Sequence, residues 1–368
     1  MSASIEWFGA TTYRLKTNGL VIWLDTWLER PSVLPKYLDV DDVDEADYIF
    51  ISHAHFDQYA STQSTYSHSF RCRGHQLTVK INDSLPGSDR IAKKTGAIVI
   101  ANGEAINLLR GAGVPDAQLM PVAGGERIPL FRKTDREKAS AGAIDVAPGP
   151  PGAPPRPHDG FAAMAVHVWP ALHCFMPGPP GQLPDVIDTR TRYTGGAGPY
   201  TCTLDITNGM KHALLRLGDL VPKDMRDAGI QSMIDYTSDR KRHVFSEFDG
   251  GQLSYNFLIG PGKTLFWNGH LGGYEGVLKA MEPKPDVAIL AVAGRANLDG
   301  RPYDGSAAEF IKTQLDWIGQ PETVIWSLYD QSPVKPYRVD TAGVTELVHN
   351  ETKSRVKDLE PAVAASIF

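Results

Sequence analysis

Residues 46–52 (ADYIFIS) form a short, nearly unbroken apolar run, and His53, Ala54, His55, Phe56, Asp57 and Gln58 come directly after it. A run of this length with polar neighbours has the pattern of a strand buried on both faces. In extended backbone, residues i, i+2 and i+4 project to the same side. His53, His55 and Asp57 are therefore expected to point together from the carboxyl end of that strand. Two imidazoles and a carboxylate converging there make a site for zinc or a similar divalent ion. The alternative reading of the same spacing is a pair of histidines that alternate on a half-buried strand and bond to backbone.

Around this segment the chain reads as a framework of strands and helices. Residues 4–8, 13–17 and 20–24 are short alternating or apolar runs, and Asn18-Gly19 supplies a two-residue hairpin turn. Further strands are expected at 96–101, 163–169, 253–259, 264–268, 287–293 and 323–328, with loop and strand over 114–130. Helical patterns fall at 104–110, ending at Gly111, and at 274–281 and 306–318. Strands first, then strands alternating with helices, predict a layered α/β architecture. Two stretches stand apart. Residues 133–160 turn polar and then proline-rich, as in an extended surface connection. Residues 178–248 are the least regular part and read as an insertion.

Composition narrows the partners. With 37 Lys+Arg against 43 Asp+Glu the net charge is −6, and no block of five or six like charges occurs, which argues against a nucleic-acid partner. No apolar stretch approaches the roughly 18 residues of a membrane span. Three cysteines are too few and too scattered for a disulfide framework or a cysteine zinc site. Residues 1–9 lack the layout of a secretory signal, so a reducing, cytoplasmic setting is the expectation. A small-molecule substrate fits this profile, and a homo-oligomer is compatible with it.

The segments Trp7-Phe8-Gly9, Val21-Ile22-Trp23-Leu24-Asp25 and ADYIFISHAHFDQ resemble the N-terminal half of the metallo-β-lactamase superfamily. The nearest flavour is the branch with ascorbate-phosphate lactonases and the phospholipase D that releases N-acylethanolamines. The resemblance implies a single αββα-sandwich domain over 1–368, with metal at the edge where two sheets meet. It places insertions at about 59–92 and 178–248, the second lid-like, and the proline-rich connection at about 133–160. The superfamily's leading motif is His-x-His-x-Asp-His, and Gln58 stands where its last histidine would be. AMAVHVWPALHC resembles the strand and loop that deliver the third histidine, implying His173 rather than His167. LSYNFLIGPGKTLFWNGHLGG resembles the next motif, where an aspartate normally bridges two metals; the matching residue is His270, with Asp219 as a rival. VIWSLYDQSPV resembles the final histidine segment, with Leu328 in the histidine's place and Asp330 keeping the acid next to it in that motif. These departures imply one metal ion rather than two.

The activity implied by this resemblance is that of a metal-dependent hydrolase, using an activated water on a small cyclic ester or amide (a lactone or lactam) or another ester. Zn2+ is the expected ion, held by His53, His55, His173 and His270, with Fe or Mn as alternatives. Asp57 would handle the proton, and Asp25 would orient a ligand histidine. Trp27, Phe175, Met176, Tyr193 and Tyr200 are the expected pocket walls. His68, Cys72 and His75 read as solvated loop residues because their spacing is irregular. Two other readings use the same fold: a mononuclear iron enzyme that uses oxygen, and a degenerate member that binds a ligand without catalysis.

Overall fold

The computed structural model describes residues 2–55, 87–178, 182–195, 204–240, 242–243 and 245–368. Asp57, Gln58, His68, Cys72, His75 and Tyr200 lie outside these residues. The first strands match the alternation in the sequence. β1 (Ala3–Trp7) and β2 (Tyr13–Thr17) bury every second residue, and β3 (Leu20–Leu24) pairs with β2 across the Asn18-Gly19 turn. Asn18 and Gly19 both have left-handed backbone (φ 52° and 74°), which two-residue hairpin turns of this type require. The chain then switches to parallel pairing: β4 (Tyr48–Phe50) adds to β3, β5 (Ile98–Ala101) to β4, and β6 (Leu119–Pro121) to β5. Residues Ala365–Ser366 close the other edge, against β1, making a seven-stranded sheet.

A second seven-stranded sheet is built from β7 (Arg127–Leu130), β8 (Met164–Pro170), β9 (Leu253–Gly260), β10 (Lys263–Asn268), β11 (Val287–Ala291) and β12 (Thr323–Ser327), with Arg355–Val356 at its edge. β10, β11 and β12 are parallel, and β11 is buried along its whole length, as a strand covered on both faces must be.

The two sheets face each other across the main core. Ile5, Leu15, Ile22 and Phe50 of the first meet Val166, Phe257, Trp267 and Ile289 of the second. Phe50 packs edge-on to both Tyr255 and Phe257, at 5.1 and 4.9 Å between ring centroids. The Tyr255 hydroxyl donates to the Ile51 carbonyl at 2.7 Å and the Tyr13 hydroxyl to that of Trp326 at 2.9 Å. These bonds satisfy two buried phenols and pin one sheet to the other. Helices cover the outer faces. α1 (Ser88–Thr95) and α2 (Gly103–Gly111) pack Ile91, Ile106 and Leu109 on Trp23, Ile49 and Val99.

α3 (Lys133–Ser140) opens the proline-rich connection, whose later part is held by a bridge between Val146 and Pro157. α4 (Leu204–His212), α5 (Leu217–Leu220) and α6 (Ala228–Ser238) occupy the stretch whose sequence is least regular. Turn residues hide α6 from a reading by period, yet Asp227 caps it by accepting from the Ile230 N–H. On the second sheet, α7 (Glu275–Ala280), α8 (Ala307–Trp317) and α9 (Ala342–Glu351) bury Leu278, Phe310, Ile311 and Val344 against Phe266, Leu290 and Trp326. The order of layers is helix, sheet, sheet, helix.

Candidate metal centre

Three strands end on the same edge of the sandwich, and each leads within a few residues to a histidine: β4 to His53, β8 to His173 and β10 to His270. The loops that carry them are fixed by backbone bonds. Leu253 N–H donates to the Ser52 carbonyl, and Ala54 N–H to the Asp249 carbonyl. Asn297 donates its side-chain amide to the His173 carbonyl at 2.8 Å. The loop before His173 crosses the one after His270 so closely that a Cβ on Gly272 would lie 2.3 Å from the Leu172 carbonyl oxygen. Only glycine fits there.

His53, His173 and His270 each offer one ring nitrogen, and these atoms all lie within 4.8 Å of one another. His55 lies against this set: its Nδ1 is within hydrogen-bond distance of His53 Nε2, at 3.1 Å. His173 and His270 stack at 3.7 Å between centroids, 27° from parallel. All four rings are buried, none more than 8% exposed. Burial, and then the neighbouring imidazoles, holds His53 and His270 well below the ordinary histidine range; burial does the same for His55, with His173 the next cause. His173 is lowered by burial too, against the opposing pull of the Cys174 carbonyl and Asp249. Four neutral imidazoles are the form in which histidine binds a metal.

The hydrogen-bond partners assign which nitrogens are free to bind. The Asp25 carboxylate accepts from the Ser52 N–H and the Ser52 hydroxyl, both at 2.9 Å. With its proton committed to Asp25, the Ser52 Oγ accepts from His53 Nδ1 at 3.1 Å. Asp25 thus acts on His53 through Ser52 rather than by direct contact. His173 Nδ1 donates to the Cys174 carbonyl at 2.8 Å. In both rings the proton sits on Nδ1 and the Nε2 lone pair faces the cluster.

The fit of a cation can be tested on atoms that have no other partner. His55 Nε2 and His270 Nε2 are buried with no hydrogen bond. An unsatisfied buried polar group costs about 1–3 kcal/mol, so two in one cluster indicate a missing partner. Nitrogens sharing one zinc ion at about 2.0–2.1 Å lie about 3.4 Å apart in a tetrahedron. The nitrogens of His53, His173 and His270, within 4.8 Å of one another, are close enough to close on one ion with small side-chain movements. The donor set fits a divalent ion.

The other expected residues divide. Trp27, Phe175 and Met176 line a cavity of about 250 Å³ that also has His173 and Cys174 in its wall. Tyr193 sits elsewhere, in a short strand paired with Gly305–Ser306 beneath Arg295, and does not line that cavity. Asp219, the rival of His270, is exposed on α5 and bonded to Arg216 at 2.9 Å. His167 bonds to the Glu282 carbonyl from the middle of β8. Asp330 pairs with Arg30 at 2.7 Å and also accepts from the Ala10 N–H.

Sequence reasoning does not find Asp249. It is buried, its Oδ1 accepts from the Gly251 N–H, and its Oδ2 has no partner. Its charge acts on His173, and its carbonyl holds both Ala54 and the Asn102 side chain. In the sequence Asp249-Gly250-Gly251 reads only as a turn before a strand.

No family model matches the chain. Over 126 residues it is 25% identical to a UPF0173 metal-dependent hydrolase of Pyrobaculum islandicum and 26% to one of Pyrobaculum arsenaticum. Each match takes in 34% of this chain and 44% of the relative, so the chain spans less than half the length of the curated relatives it matches. Among solved structures, Igni18, a metallo hydrolase from Ignicoccus hospitalis, superimposes with a TM-score of 0.51 at 15% identity, covering 100% of this chain and 99% of that one. With two facing seven-stranded sheets, helices outside both and a histidine cluster on the shared edge, the chain has the αββα fold of the metallo-β-lactamase superfamily.

Proposed function

We propose that the protein is a hydrolase that opens a small cyclic ester or amide, or cleaves another ester, at a single zinc ion held by His53, His55, His173 and His270. The observation that carries this reading is the convergence of three buried imidazoles, His53, His173 and His270, with His55 against His53 and with ring nitrogens of His55 and His270 that have no other partner. When bound, such an ion supplies a Lewis acid and lowers the pKa of a water towards about 7.

This chain's own residues do the rest. The line from Asp25 through Ser52 to His53 Nδ1 fixes one ring, and the Cys174 carbonyl fixes His173; partners of this kind orient ligands and raise their basicity. Asp249 Oδ2, buried and unpartnered, with a charge that is felt at His173, would take a proton from water and pass it to a leaving oxygen or nitrogen. Asp57 is a second candidate for that role from its place in the sequence motif. A single ion fits the surroundings because Asp330 is already committed to Arg30 and Ala10, and Leu328 offers no donor.

The test is metal content per chain by inductively coupled plasma mass spectrometry, on protein purified without added metal, and then a panel of lactones, lactams and aryl esters. One zinc per chain and turnover that His55→Ala and a chelator both abolish are the expected results. Two ions per chain would overturn the single-ion reading. Iron with oxygen consumption would replace the hydrolase by an oxygen-using enzyme, and a chain that takes up no metal would be a binding protein.

A further inference from the structure

The cavity beside His173 is unlike the histidine cluster that it adjoins. Its volume is about 250 Å³, and its walls include Trp27, Phe175, Met176, Met233, Leu328 and Val339. An apolar cavity of about 150 Å³ is enough to hold benzene, so this one has room for a larger hydrocarbon group. Separate parts of the fold build it, among them the loop after β3, the loop after β8, α4 and α6 of the inserted stretch, and the segment after β12. Trp27 is locked in place by its indole N–H, which donates to the Tyr236 hydroxyl of α6 at 3.0 Å.

Charge in this cavity is cancelled where it is deep. Arg30 has a side chain only 2% exposed, lies over the Trp27 ring at 4.7 Å, and is bonded to Asp330. Gly9, with left-handed backbone (φ 96°), leaves room for it: a Cβ there would be 2.4 Å from Arg30 Nη1. Lys335, at the rim, is paired with Asp185. An anionic group pushed into such walls would lose its hydration and find the deep cation already neutralised, so its burial is unfavourable. A hydrocarbon group would gain roughly 0.8 kcal/mol per methylene buried.

We propose that this cavity receives the uncharged apolar part, an acyl chain or aryl ring of about six carbons or more, of a substrate whose ester or amide carbon lies at the histidine cluster. The continuity runs through His173, which faces the cluster through Nε2 and also forms part of the cavity wall. The inference rests on the hydrolase reading only for the reacting bond. The preference for hydrocarbon rests on the cavity itself.

Binding and turnover test the two separately. Straight-chain methyl ketones from butanone to undecan-2-one, which cannot be hydrolysed, are titrated calorimetrically into the full-length protein. In parallel, kcat/KM is measured on p-nitrophenyl esters from butyrate to decanoate. Affinity and kcat/KM are expected to rise about threefold to fourfold per methylene and to level off once the cavity is full. Leu328→Trp, inside the cavity, and Met176→Trp, at its half-exposed mouth, should each flatten that rise, with thermal unfolding confirming that both are folded. Esters turned over with no chain-length dependence would overturn the cavity inference and leave the hydrolase. Ketones bound with the expected rise, but no ester, lactone or amide turned over, would overturn the hydrolase and leave the cavity. Ketone affinity flat with length, or a rise unchanged in both variants, would sink the cavity inference.

Discussion

The two sides of His173 use the same strand edge for opposite purposes. On one side, His53, His55 and His270 crowd their rings together and leave nitrogens without partners. On the other, Ala10, Leu328 and Val339 present hydrocarbon, and the charge of the buried Arg30 is met by Asp330, although the Arg30 Nε has no partner of its own. Ring nitrogens with free lone pairs can take a cation; a guanidinium whose charge is already met by a carboxylate cannot. On the function proposed above, the metal belongs on the first side and the body of the substrate on the second. It also explains why Leu328 can stand where relatives of this fold would place a histidine: its position has become a wall.

The largest effect that would test this contrast is removal of a ring from the polar side. His173→Ala deletes one nitrogen of the three-residue set and should lower metal affinity by more than the roughly 10–100-fold that loss of an outer partner costs. Equilibrium dialysis with zinc measures it. Affinity within a few-fold of the unaltered protein would mean that the ion sits elsewhere. Asp249→Asn comes next. It keeps the shape and the bond to the Gly251 N–H but removes the charge, so kcat should fall by about 10²–10⁴ if this carboxylate carries the proton. Zinc content should stay near that of the unaltered protein. A variant with full activity would pass the role to Asp57.

Much of the polar side is legible in the sequence. The framework strands of the first sheet and the helix ending at Gly111 fall where alternation and caps put them. His53 and His55 are marked by a period of two after a buried strand, a local signal of the kind that survives in a sequence. His173 and His270 are reached only through the resemblance of their segments to the metallo-β-lactamase superfamily. Asp249 is hidden because its importance is tertiary: its carbonyl ties Ala54 to the Asp249-Gly250-Gly251 turn, and nothing near it in the chain announces that. α6 is hidden for a related reason. Its buried residues, Met233 and Tyr236 among them, pack against distant loops rather than a sheet, so no clean amphipathic stripe marks them. Tyr193 and Trp27 look alike in the sequence as aromatic residues near a site. Only the fold shows that Trp27 lines the cavity and Tyr193 does not.

The smallest expected effect is also the sharpest test of the contrast. Leu328→His puts an imidazole at the place where the sequence departs from the motif that it resembles, on backbone that is already left-handed (φ 58°) and tied by its N–H to the Ala10 carbonyl. If one histidine were all that the apolar side lacked, the variant would take up a second ion. A second site also needs an anionic ligand, and Asp330 has both oxygens engaged, one by Arg30 and one by the Ala10 N–H. Freeing it would strand a buried guanidinium without its partner, a cost of about 3–5 kcal/mol. Metal content should therefore stay at that of the unaltered protein, while the preference for long acyl chains weakens because a polar ring now faces the hydrocarbon. Two ions per chain in Leu328→His would show that the apolar side is a metal site lacking one ligand, and the division at His173 would fall.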